Sequence, residues 1–180
     1  MFFNCISIKS YVKTKKLASD KQMKVHSIVA MTKNYVIGNK GTIPWKIKED
    51  MALFKEKTIG QTVIMGKNTW LSLPEKFRPL PNRNNIIVST TLDEQTGAII
   101  CKTIEDAITE AKKFEKEIYC IGGGQIYGAM LPFIEVLDIS WIKKEYEGET
   151  KFPKINFEEW ICVEEKNFEE FNYKKYERKI

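Results

Sequence analysis

Glu117–Leu131 reads EIYCIGGGQIYGAML, and its three consecutive glycines set the reading of the chain. Glu117–Ile121 is a short apolar run of strand character, and Gln125 opens a helical segment. Glycine loses more conformational freedom on folding than any other residue. Three in a row between strand and helix mark either unusual dihedrals or backbone pressed against a ligand. The spacing is not that of a G-x-G-x-x-G dinucleotide fingerprint. The unit is a strand–turn–helix, the repeating element of a parallel sheet.

A second such unit lies upstream. Thr62–Met65, TVIM, runs into Gly66-Lys67-Asn68-Thr69 and then a short helix, TWLSL. Strand, glycine, cation, hydroxyl and helix together make the layout of a phosphate site. A glycine at a strand-to-helix turn is also ordinary structure, so both readings stand. Asn85–Ser89 and Ala98–Cys101 are two further buried strands. The hydroxyls Ser89 and Thr90 and the cation Lys102 follow them, fitting a second phosphate position. Turn chemistry alone would favour the same hydroxyls.

The remaining elements complete the sheet. Lys24–Thr32 is a strand covered on both faces, with His26 a structural residue near its start. Ile104–Lys116 carries Ile104, Ala107, Ile108, Ala111 and Phe114 on one helical face. Val136–Ile142 is a sixth strand, and Trp160–Asn167 with Phe171–Arg178 forms a closing hairpin. Strands alternating with helices, then a hairpin, predict an α/β fold, mostly parallel with an antiparallel edge.

One helix is anomalous. Ile43–Thr58, IPWKIKEDMALFKEKT, places Ile47, Met51 and Phe54 on one expected buried stripe. Asp50 falls on that stripe. A buried carboxylate needs a partner; at the stripe's edge it would reach water. The preceding loop, KNYVIGNKGTIPW, is studded with Val36, Ile37, Ile43 and Trp45. A loop that apolar either packs on the body or closes over a ligand.

Composition bounds the class. The chain has 180 residues, 43% hydrophobic and 12% aromatic, enough for one domain with a substantial core. The net charge is +5, but residues 1–22 carry five lysines against one aspartate, leaving +1 elsewhere. The body therefore lacks the basic excess of a nucleic-acid binder, and no apolar run is long enough to cross a bilayer. Residues 1–23 read as a basic extension outside the fold, with organellar targeting second and membrane or phosphate contact third. The four cysteines form no CxxC pair, and with a single histidine they predict no metal site and a reducing, cytoplasmic setting.

Taken jointly, GNKGTIPW, DMALFKEKT, VIMGKNTW, RPLPNRNNIIVS and IYCIGGGQIYGAMLP occur in an order and spacing that resemble dihydrofolate reductase, over about residues 24–180. The resemblance implies a single-domain fold with a central, mostly parallel eight-stranded sheet, an antiparallel C-terminal edge strand and about four flanking helices. It implies reduction of dihydrofolate by NADPH in a monomer. Asp50 matches the carboxylate that holds the pterin and assists its protonation, with Trp45 and Ile43 in the closing loop. Ile28, Ala30, Met51, Phe54, Leu73, Leu80 and Ser140 match substrate contacts, and Arg83 matches the anchor of the glutamate tail. Ala30, Ile37, Gly66, Lys67, Asn68, Thr69, Ser89, Thr90 and Lys102 match cofactor contacts. So do Ile121, Gly122, Gly123, Gly124, Gln125, Ile126 and Tyr127, with Gly122-Gly123 the pair joined by a cis peptide.

Some positions depart from the pattern. Gln125 stands where many bacterial members carry arginine, while Lys67 and Lys102 still favour NADPH over NADH. The segment SLPEKFRPL is longer than in typical bacterial enzymes, whereas an aspartate at position 50 looks bacterial. Asn68 and Ser140 are mild substitutions. Two other functions compete: a same-fold NADPH reductase of a pyrimidine intermediate, and a non-catalytic binding module. Phe54 and Arg83 argue against the first, and Asp50 beside an intact loop against the second.

Overall fold

A computed structural model describes residues 23–179; the expectation for the basic extension falls almost wholly outside them. Ten strands are present among the described residues. They are β1 Val25–Thr32, β2 Val36–Gly38, β3 Thr62–Gly66, β4 Asn84–Val88 and β5 Ala98–Cys101, then β6 Ile118–Cys120, β7 Val136–Ile142, β8 Thr150–Lys151, β9 Trp160–Asn167 and β10 Phe171–Arg178. Four α-helices flank them: α1 Lys48–Thr58, α2 Lys67–Ser72, α3 Ile104–Lys112 and α4 Gly124–Met130.

Eight strands form one sheet in the order β5-β4-β3-β6-β1-β7-β10-β9. Strands β1 and β3 to β7 pair in parallel, while β10 is antiparallel to both β7 and β9. The antiparallel C-terminal strand therefore sits one place in from the edge, and its hairpin partner β9 takes the outermost position. Strands β2 and β8 were not foreseen. They are three and two residues long and pair only with each other, too short for any periodicity to register.

The continuous apolar runs become strands covered on both faces. Val63, Ile64 and Met65 in β3 and Ile86 and Ile87 in β4 are fully buried, each side chain contributing about 1.5–3 kcal/mol on burial. Helix α3 lays Ile104, Ala107, Ile108 and Ala111 on one face of the sheet. The Thr103 hydroxyl caps it by accepting from the Asp106 N–H at 3.1 Å. On the other face Trp70, Leu80, Ile28 and Tyr119 pack with Phe54 and Leu73.

Helix α1 corrects the expected stripe. Ile47 is buried and Phe54 half-buried, but Met51 is 58% exposed and Leu53 takes the core position. The helical period locates a face, yet this helix has two apolar fronts, one toward the sheet and one toward an open cleft.

Candidate active site

Parallel strands place ligand crevices outside their carboxyl ends. Here a cleft of about 1050 Å³ opens along those of β3, β4 and β6 and continues over β1 and β7 to α1. It has two halves of different chemistry.

The first half surrounds Asp50. Its carboxylate projects from the first turn of α1 and accepts a hydrogen bond from the Ser140 hydroxyl on β7. Burial pushes its pKa up, and the Ser140 hydrogen bond pulls the other way. Ser140 is the register partner of Ala30 on β1, so strand pairing fixes where the carboxylate is met. Ile28, Ala30, Met51, Phe54, Leu73, Leu80 and Ser140 all line this cleft, as do Ile43 and Trp45 of the loop. Trp45 is buried with Ile47, Ile142 and Phe171, its ring 5.2 Å from that of Tyr146. Its indole N–H is buried and has no acceptor among the described residues. Ile43 stays 58% exposed. The apolar loop therefore packs on the body through Trp45, while Ile43 lines the cleft and stays exposed.

Arg83 does not line the cleft. Its guanidinium lies 5.7 Å from the Phe54 ring centroid. It donates from Nε to Thr58 Oγ1 at 2.8 Å and from Nη1 to the Pro81 carbonyl at 2.7 Å. Burial lowers its pKa. The arginine is tied to the last residue of α1 and held beside the aromatic wall, at the rim of the space.

The second half is built from strand ends. Lys67, Asn68 and Thr69 from α2, Ser89 and Thr90 after β4, and Lys102 after β5 line one stretch of wall. Ile37, Gly66, Ile121, Gly123, Gly124, Gln125, Ile126 and Tyr127 line the rest. Lys67 Nζ donates to Thr91 Oγ1 at 3.0 Å. Two cations and several hydroxyls on one wall are a donor set suited to phosphate groups. Turn chemistry accounts for one of these hydroxyls directly, since Ser89 Oγ accepts from the Thr91 and Leu92 N–H groups.

Gly122 is the exception among the expected cofactor contacts. It does not line the cleft. Its φ is +98°, its peptide to Gly123 is cis, and its carbonyl accepts from the Gly66 N–H at 2.8 Å. A Cβ there would sit 2.5 Å from the Tyr127 ring. The Tyr127 hydroxyl is itself pinned to the Ile28 carbonyl at 2.8 Å. The glycine run is thus explained at Gly122 by dihedrals and protein packing, while Gly123 and Gly124 face the cleft.

Sequence reasoning missed several lining residues, among them Lys46, Leu53, Thr91 and Thr150. Asp138 and Tyr173 also line the cleft. Asp138 is 1% exposed and faces His26, Lys57 and the Tyr173 hydroxyl. These partners hold its pKa down against the burial that raises it. The signal was present: an aspartate inside the apolar strand VLDISWI, two residues from Ser140 and so on the same face.

A family model described as "Dihydrofolate reductase" matches residues 24–180. The dihydrofolate reductase of Haemophilus influenzae is 41% identical over 133 residues, covering 74% of this chain and 81% of that one. The Bacillus subtilis enzyme is 34% identical over 160 residues, covering 84% and 93%. Among solved structures, dihydrofolate reductase from Enterococcus faecalis complexed with NADP(H) and RAB-propyl superposes with a TM-score of 0.79 at 30% identity. It covers 87% of this chain and 97% of that chain. With the match spanning every element that builds the cleft, the chain belongs to the dihydrofolate reductase family.

Proposed function

We infer that the chain reduces 7,8-dihydrofolate to 5,6,7,8-tetrahydrofolate, with NADPH as the hydride donor. The observation that carries this is Asp50, a largely buried carboxylate held by Ser140, in a cleft whose other half bears Lys67, Lys102 and hydroxyls. NADPH when bound supplies the hydride that the pterin accepts at C6, while a proton is added at N5. Lys67, Thr69, Thr90 and Lys102 would hold its phosphates, and Gly123, Gly124 and Ile126 would back it. Asp50 accepts from the pterin's N3 and 2-amino groups and keeps a proton near N5. The opposing pulls of burial and Ser140 suit it to both jobs. Ile43 and Trp45 restrict water over the reacting rings. Phe54, Leu73 and Leu80 would wall the aminobenzoyl group, and Arg83, beside Phe54, would pair with the carboxylate of the tail.

The deciding experiment follows loss of reduced-nicotinamide absorbance with dihydrofolate, in parallel with NADPH and with NADH. Turnover with a clear preference for NADPH is expected. No dihydrofolate-dependent oxidation of either cofactor would overturn the reading.

The same reading makes the chain a monomer of the reducing cytoplasm with no nucleic-acid partner. Cys101 and Cys120 are buried free thiols, and no described helix is long and apolar enough to cross a membrane. It also makes residues 24–180 the catalytic body. Deleting residues 1–22 should leave kcat and Tm within error of the full chain; a fall of several degrees would contradict this.

A further inference from the structure

Helix α1 meets strand β7 at two polar points. Asp50 and Lys57 are seven residues apart, two helical turns, and so lie on one face of the helix. Ser140 and Asp138 are two residues apart and lie on one face of the strand. The two pairs match: Asp50 with the Ser140 hydroxyl, and Lys57 Nζ with Asp138 Oδ1 at 3.2 Å. Between them Leu53 is buried in the cluster that includes Ile142 and Tyr173.

The second point is built with more partners than the first. Asp138 Oδ1 also accepts from the Tyr173 hydroxyl. Its Oδ2 faces His26 Nδ1 at 2.9 Å. The Lys57 ammonium lies 4.6 Å from the Tyr173 ring centroid, with only 18% of its side chain exposed. His26 stacks on Tyr119 and faces Glu117 at 3.5 Å. Further out on the α1 side of the sheet, Lys175 is the register partner of Asp138 and Glu164 that of Lys175. Near Asp50 itself the titratable neighbour is Tyr127.

We propose that Lys57 and Asp138 are positioning residues for Asp50: they clamp the C-terminal end of α1 to β7 and keep the strand face that carries Ser140, the partner of Asp50, electrically neutral. A buried ion pair is not by itself evidence of stability. Its value here lies in place. An unpaired Asp138 would put a second anion on the same strand face as the Asp50–Ser140 contact. An unpaired Lys57 would put a cation there. The two losses act on Asp50 with opposite sign.

The inference rests on the assignment of Asp50 as the reacting carboxylate, and the test separates the two. Asp50 is titrated by carbon NMR of its carboxyl group in the ligand-free chain. The same variants are followed by the pH dependence of single-turnover reduction of dihydrofolate. In Lys57→Met the Asp50 titration should move up in pH, and in Asp138→Asn it should move down. The double variant should return toward the starting value, and Lys57→Arg should leave it in place. The pH profile of reduction should move in step. If Asp138→Asn does not fold, Lys57→Met against Lys57→Arg still decides, because Lys57 is the more exposed member of the pair. Shifts of the same sign in both single variants, or an unmoved Asp50 in Lys57→Met, overturn the proposal. An Asp50 that titrates as expected in a chain that does not reduce dihydrofolate would instead overturn the functional reading and leave the clamp standing.

Discussion

The Asp50 carboxylate and the Ser140 hydroxyl meet between the first turn of α1 and the middle of β7. Burial and the hydrogen bond push the same group in opposite directions, and on the proposed function the site's chemistry turns on that balance. Replacing Asp50 with asparagine keeps the shape and removes the titration. Turnover at neutral pH should fall by roughly two to four orders of magnitude, the usual contribution of a positioned acid–base group. NADPH affinity should be unchanged. Stability should move the other way. The folded-state pKa of Asp50 is raised, so the folded chain holds this proton to higher pH than the unfolded chain does. The cost of ionising it therefore appears as pH rises from the ordinary carboxylate range through the folded pKa, and persists above. Asp50→Asn should melt higher than the parent at neutral pH and level with it in acid. Melting curves across pH check this; equal Tm values at neutral pH would refute it.

Ser140→Ala isolates the other half of the balance. The hydroxyl stabilises the ionised carboxylate, so its loss drives Asp50 further up. A hydrogen bond to a charged group contributes about 1.5–3 kcal/mol, enough to move the pH profile of kcat visibly toward higher pH. Thr at this position retains the donor, so Ser140→Thr should restore the parent profile. A profile that stays fixed in Ser140→Ala would mean that the contact does not act on the reacting group.

How far the chain could be read before folding depended on the length over which each signal ran. Runs such as Val63-Ile64-Met65 and Asn85-Ile86-Ile87 are long enough to declare strands buried on both faces. The inner parallel strands were legible for that reason, whereas β9 and β10, largely exposed or half-buried, were legible as a closing hairpin. Strands β2 and β8 were not, since Val36–Gly38 and Thr150–Lys151 become strands only when the fold brings them together. Met51 was misplaced because a helical stripe does not say whether it faces a core or a cleft. Asp138 went unread because its partners His26, Lys57 and Tyr173 come from three other elements. Gly122 was legible as special, yet whether its cause was a ligand or the Tyr127 ring lay only in the packing.

Gly122→Ala tests that packing. A methyl group there meets the Tyr127 ring at 2.5 Å, and the ring cannot swing away without breaking its bond to the Ile28 carbonyl. The φ of +98° adds backbone strain for any residue with a Cβ. Overpacking costs about 1–3 kcal/mol, and the backbone term about as much again. A fall in unfolding free energy of that order is expected by denaturant titration. A variant as stable as the parent would show that Tyr127 is not held in place.

Arg83→Leu separates the two ends of the cleft. Arg83 lies beside Phe54 and is tied to Thr58 at the end of α1, whereas Lys67 and Lys102 line the other half of the cleft. If it anchors the carboxylate of the substrate's tail, its loss removes a charge-assisted contact of about 1.5–3 kcal/mol. The KM for dihydrofolate should rise by roughly ten- to a hundredfold. The KM for NADPH should stay within about twofold, because no cofactor group needs to reach this rim. The Thr58 contact is lost too, so melting must be measured alongside, and a small drop in Tm is expected. A truncated substrate lacking the glutamate gives the sharper comparison. The parent and Arg83→Leu should handle it alike, since the arginine then has nothing to hold. A loss of the same size on both substrates, or an equal rise in both KM values, would mean that Arg83 serves the end of α1 and not the ligand.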